Sequence, residues 1–235
     1  MFTPSPTQRN INLLSPAQIT GEGSSFIVDE LFEIALPALQ KGFEEKGILL
    51  MDLNGYLNDD RKKQLYNETE FEPSTLAKGT AAWAAKLSGR AYGGDAKATP
   101  DGYKLITETN WDIKMMRTTG DFAKKVDIDA VISVMQQINW DGKNLYMGPT
   151  VMSMIGPNPI PENDDDWYAP VGPLKGYLEG FIFGAVVATP PKPYLLGETS
   201  KKSIEINFDD LDLVYTRLAS SLSEYVFEKI DKLVK

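Results

Sequence analysis

Carboxylates are the densest chemistry in this sequence. Glu162, Asp164, Asp165 and Asp166, with Asn163 among them, crowd one stretch just before Trp167 and Tyr168. Hard cations such as calcium bind through several carboxylate and carbonyl oxygens at once, which makes Asp164, Asp165 and Asp166 the candidate metal ligands. The stretch lacks the ligand spacing and the glycine of a known calcium loop, and consecutive side chains on an extended loop point apart. A solvated acidic loop is therefore the competing reading. Asp127 and Asp129 form a second pair, flanking Ile128. On an extended segment they share a face, and paired carboxylates do acid–base work when their pKa values are pushed apart. Residues of this kind also close helices and start turns. No second group in the sequence orients a reaction there, so no catalytic residue is assigned.

The remaining chemistry narrows quickly. The chain has no His and no Cys. That removes Ser-His-Asp and Cys-His nucleophiles, thiolate chemistry and zinc sites of the usual nitrogen and sulfur type, and leaves carboxylate, Lys, Tyr, Ser and Thr. Gly93-Gly94 invites comparison with a phosphate-binding loop, but Lys97 is followed by Ala98, Thr99 and Pro100 rather than by a hydroxyl residue opening a helix. A dinucleotide fingerprint is also missing. A plain turn and no cofactor are the expectation. Among the aromatic residues of the second half, Trp140 and Tyr177 read as core. Trp167 and Tyr168, in a stretch expected to be exposed, are the candidate binding residues.

A net charge of −9 disfavours nucleic acid and anionic membranes, and the longest basic run is only Arg61-Lys62-Lys63. No stretch approaches the roughly 18 apolar residues of a membrane span. A protein partner or self-association is the partner class that remains. The start, Met1-Phe2-Thr3-Pro4-Ser5-Pro6-Thr7, lacks the basic and apolar regions of a leader. Two compartments stay open: the cytoplasm, or the periplasm and envelope if a leader has been removed and a Met added.

The elements that must position these residues form one α/β domain, residues 25–235, behind a loosely ordered segment, residues 1–24. Leu31, Ala35, Leu39 and Phe43 at four-residue spacing predict a helix over residues 25–46, ended by Gly47, with Pro37 as a candidate kink. The apolar run at 48–53 reads as a strand buried on both faces, as in a parallel sheet. Short helices are expected at 60–68 and 74–91, a loop at 92–102, and a helix at 111–126 capped by Asn110. Asp141-Gly142 between 130–140 and 144–155 predicts an antiparallel hairpin. A Pro-rich exposed loop at 156–173, a long strand at 174–188, a short edge strand at 204–208 and a terminal helix capped by Asp209 or Asp210 follow. Leu211, Val214, Leu218, Leu222, Tyr225, Val226, Ile230 and Leu233 give that helix one apolar stripe. The fold class is α/β: a mixed sheet with helices packed on it and a long C-terminal helix.

This order of elements resembles the small α/β domains of bacterial envelope proteins of the TolB N-terminal and curli-secretion (CsgG-like) type. Two segments carry the likeness. One is Leu36-Pro37-Ala38-Leu39 leading to Gly47-Ile48-Leu49-Leu50-Met51-Asp52. The other is Phe122-Ala123-Lys124-Lys125-Val126-Asp127-Ile128-Asp129-Ala130-Val131-Ile132-Ser133. The resemblance implies a non-enzymatic binding or assembly domain of the cell envelope that contacts other proteins. The alternative is a carboxylate-dependent enzyme or a calcium-binding protein using the acidic loop, and convergence of the carboxylates in a pocket separates the two.

Overall fold

A hairpin organises the sheet. In the computed structural model, which describes residues 8–12, 22–71, 98–104, 113–157, 180–190, 192, 194–199, 203–207 and 209–234, the elements run β1 (Gln8–Asn12), α1 (Glu22–Glu44), α2 (Leu53–Tyr56), α3 (Asp60–Glu68), α4 (Ile113–Val126), β2 (Val131–Trp140), β3 (Asn144–Pro157), β4 (Gly180–Ala188), β5 (Tyr194–Thr199), β6 (Ser203–Asn207) and α5 (Leu211–Val234). β2 and β3 pair antiparallel from Val131↔Ile155 to Trp140↔Leu145, as the Asp-Gly pair predicts. Asp141 closes the turn: its carboxylate accepts from the backbone amides of Lys143 (2.9 Å) and Asn144 (2.7 Å). Gly142 supplies φ 102°.

The sheet is ordered β1-β6-β5-β3-β2, with β4 also paired to β3. β4 and β5 share one edge of β3. Thr150↔Ala188 to Pro157↔Gly180 takes its second half and Asn144↔Glu198 to Met147↔Tyr194 its first. Pro190 lies in the break between them, where proline interrupts a ladder. The α/β class, the helices packed on the sheet and the long C-terminal helix are as expected. Every described pairing is antiparallel.

Three expectations are corrected. Residues 48–52 form no ladder among the described residues. Ile48 and Leu50 pack against the larger core, whereas Leu49 and Met51 are 80% and 44% exposed. Side chains take the backbone groups a neighbouring strand would use: the Gln40 amide donates to the Leu50 carbonyl (3.2 Å), and the Tyr103 hydroxyl accepts from the Leu53 amide (3.3 Å). β6 is not an edge strand but lies between β1 and β5. β1 itself falls inside the segment expected to be loose, and its backbone pairs with β6 from Gln8↔Asn207 to Asn12↔Ser203. The expected helix at 74–91 lies outside the described residues.

Two faces of the sheet are packed differently. On the front, α1 and α5 bury Leu31, Leu39, Phe43, Leu211, Tyr215, Leu222 and Val226 against Met152, Met154, Leu196, Ile204 and Ile206. α1 stays helical through Pro37, which is exposed and so leaves its missing backbone bond on the solvent side. Thr216 donates to the Ala38 carbonyl (3.2 Å) and Lys46 pairs with Glu224 (2.7 Å), so contacts advance the same way along both helices and the two run parallel. A Cβ on Gly42 would lie 2.5 Å from the Thr216 carbonyl oxygen, which is why glycine stands at the crossing. On the back, a smaller core joins Leu57, Tyr66, Phe71, Met115, Phe122 and Val126, with Ile128 and Val131 against it.

Candidate binding groove

Asp127 is a helix terminator. Its backbone is left-handed (φ 60°), and the amide of Ile128 donates to the Ala123 carbonyl (3.0 Å) across it. This is the closing pattern that Gly47 makes at the end of α1, where the Ile48 amide donates to the Phe43 carbonyl (3.0 Å). Asp is one of the few side chains that enters this region at low cost. The Tyr56 hydroxyl donates to the exposed end of α4 at the Val126 and Asp127 carbonyls. Asp129 is exposed. No group of three or more Asp or Glu residues converges as a metal site among the described residues. Asp164, Asp165, Asp166, Trp167 and Tyr168 lie outside the described residues, as does Gly93-Gly94.

A second polar constellation joins α2 and α3 to residues 98–104. Tyr103 donates to Asp52 (2.5 Å), and its ring stands edge-on to Phe32 with centroids 4.8 Å apart. Burial first, then the Asp52 carboxylate, push the Tyr103 phenol far up, so it stays protonated at neutral pH. The Lys104 ammonium donates to the carbonyls of Tyr66 (2.5 Å), Asn67 (2.9 Å) and Thr69 (2.7 Å) at the C-terminal end of α3. All three of its protons are used on the negative end of a helix, which is the work of an anchor. Burial lowers its pKa and Glu70 opposes that shift.

The surface left open among the described residues is on the back of the sheet. Side chains alternate across a strand, and the pairing register assigns each row to a face. Ile132↔Met154 and Val134↔Met152 put core methionines on the front, while Val131↔Ile155 faces α4. Opposite Gln137, β3 carries an extra residue at Gly148-Pro149, where the register steps from Gln136↔Thr150 to Ile138↔Met147. A bulge of this kind bends the strand and shifts its alternation by one residue. Leu145 and Met147 therefore return to the front core, and Tyr146 turns to the back. Gln136 holds the bulge: its amide donates to the Gly148 carbonyl (3.1 Å) and its oxygen accepts from Thr150.

Among the described residues, α4 covers one end of this back face. It meets β4 where a Cβ on Gly180 would strike the Met116 carbonyl. Farther along, the row Met135, Val151 and Val187 ends in a Val187 that is 65% exposed. In the next rows the bulge and the β4–β5 break open a groove of about 420 Å³ lined by Asn139, Tyr146, Met147, Pro149, Thr189 and Lys192, among others. Leu195, opposite Tyr146 and 47% exposed, stands beside it. Among the described lining residues the walls are mostly apolar, the hydrogen-bonding groups are an amide, a phenol and a hydroxyl, and the charged group is the Lys192 ammonium. Such a lining is complementary to an apolar surface with a few oriented polar groups.

Trp140, expected in the core, is 43% exposed, with its indole N–H donating to Thr199 (2.9 Å). The groove itself is not visible in the sequence as a site. Its traces there are Gly148-Pro149 inside a strand-like run and Pro190-Pro191-Lys192-Pro193 between strands. No family model matches the chain, and comparison with curated proteins and solved structures yields no match.

Proposed function

We propose that this chain is a non-enzymatic binding or assembly domain whose contact surface is the uncovered back face of the sheet around the β4–β5 break. The observation that carries this reading is the groove lined by Tyr146, Pro149 and Lys192 and flanked by the exposed Val187 and Leu195. Contiguous apolar surface rimmed by polar residues is the form that protein contacts take. The open and mostly apolar lining suits a protein segment. Placement in the bacterial cell envelope rests on the segment Phe122 to Ser133 alone, where a helix leads into a strand as in the resemblance, and is tested by fractionating cells that make the native chain.

A photo-crosslinking side chain at Thr189 should give a discrete protein adduct in such cells. Tyr146→Ala combined with Leu195→Asp should abolish that adduct while the circular dichroism spectrum is unchanged. The same adducts arising from a probe at the exposed Asp231 on α5, or adducts that survive the double change, would overturn the reading.

A further inference from the structure

We infer that α5 shapes the groove through the sheet: Tyr215 on its buried side and Gln136 on β2 fix the Gly148-Pro149 bulge from the front, which makes both of them positioning residues of the contact surface. The consequence for binding rests on the function proposed above, whereas the positioning stands on the hydrogen bonds alone. Ile132, Val134 and Ile138 give β2 an apolar front row, and Gln136 is the polar residue within it. A polar side chain among apolar neighbours lowers stability unless its hydrogen bonds are made.

The bulge leaves Gln137, Gly148 and Pro149 without partners in the β2–β3 register. The Gln136 amide nitrogen donates to two of the carbonyls concerned, those of Gln137 (2.8 Å) and Gly148 (3.1 Å). Its oxygen accepts from the fully buried Thr150 hydroxyl and, at 3.4 Å, from the hydroxyl of Tyr215, which is 2% exposed. The longer bond is the weaker one. Burial pushes the Tyr215 phenol up, so it stays protonated and donates. Two carbonyls on one side and two hydroxyls on the other admit one orientation of the carboxamide, and no charged side chain offers donors at one end with an acceptor at the other. Gly148, and Tyr146 which the bulge turns to the back, line the groove. Contacts therefore run from α5 across the sheet to the groove wall, and a change in the seat of Tyr215 alters the surface that a partner meets.

Gln136→Glu tests this, because the two side chains have nearly the same shape. As a carboxylate it only accepts, and it faces two carbonyl oxygens; protonated, it regains one donor. Those carbonyls and partial burial raise its folded pKa above the unfolded value of about 4.3. The bulge contacts are then present below about pH 4 and lost as pH rises through the folded pKa. Tyr215 is the titratable group among the bonded partners of Gln136, and it does not ionise in this range.

Backbone amide resonances of Tyr146, Gly148 and Thr150 in the Gln136→Glu chain should match those of the unaltered chain at about pH 4 and depart from them at about pH 7, whereas Gln136→Leu departs at both. Tyr215→Phe removes one oxygen and should move the same resonances by a smaller amount. In cells, the Thr189 adduct should fall several-fold with Gln136→Glu and less with Tyr215→Phe, the circular dichroism spectrum being unchanged. Resonances of Gln136→Glu that ignore pH overturn the inference, as do bulge resonances unmoved by Tyr215→Phe, or a full adduct yield from a chain whose bulge resonances have moved. Absence of the adduct from the unaltered chain overturns the proposed function instead and leaves the resonance test standing.

Discussion

The front and back of this sheet are built from the same residue types and end in opposite states. On the front, parallel α1 and α5 seal Met152, Met154, Leu196, Ile204 and Ile206, and Leu222 is fully buried. On the back, α4 seals one end, and the apolar residues beyond it, Val187 and Leu195, stay in contact with water. The difference arises at two local defects. The Gly148-Pro149 bulge rotates Tyr146 to the back, and the β4–β5 break leaves Gly148-Pro149 without a paired strand on that edge among the described residues. Apolar surface left in water beside two such defects is the form a contact surface takes.

The sharpest way to test that contrast is to delete the same side chain from each face. Leu222→Ala removes a fully buried leucine of the α5 stripe. Loss of burial plus the cavity should lower stability by about 2–5 kcal/mol, read from the midpoint of urea denaturation. A shift near zero there would mean that the front is not the sealed core.

Legibility in the sequence followed the same division. The front was readable because its pattern is local: the four-residue stripe of α1 and the spacing from Leu211 to Ile230 name the buried faces directly. The hairpin was readable because Asp141-Gly142 fixes a turn through local bonds. The run at 48–53 misled because composition reports burial but not pairing, and Gln40 and Tyr103 took backbone groups that a strand would have used. β6 was misplaced as an edge because its neighbour β1 has no local signal strong enough to announce it. The groove could not be read at all. It depends on which residue of β3 is extra and on where two strands share one edge, and both are properties of long-range register.

A smaller effect belongs to the rim between the faces. The Asp141 turn joins Asn139 on one bank of the groove to Tyr146 on its floor. Backbone donation from Asn144, then from Lys143, then from the Asn144 side chain holds its carboxyl down at about 2. The unfolded value is about 3.9. A folded pKa below the unfolded one contributes stability that is present above about pH 4 and fades as pH falls toward 2. Asp141→Asn should therefore flatten this part of the acid limb of the stability curve and leave its shape above pH 5 unchanged, as followed by thermal melts across the range. An identical acid limb in both proteins would show that the turn bonds do not persist in solution.

The smallest expected change in stability is the one that decides the comparison. Leu195→Ala removes the same atoms as the core deletion, but from a position 47% exposed at the groove edge. Side chains that fold into no core change stability by about 0.5 kcal/mol or less, so its denaturation midpoint should stay close to that of the unaltered chain. Its contribution should appear instead in the crosslinking yield from Thr189, because apolar area that folding leaves in water is still available to stabilise a complex. If Leu195→Ala costs as much as Leu222→Ala, the back face is sealed by the chain itself, and the surface assigned here to a partner belongs to the core.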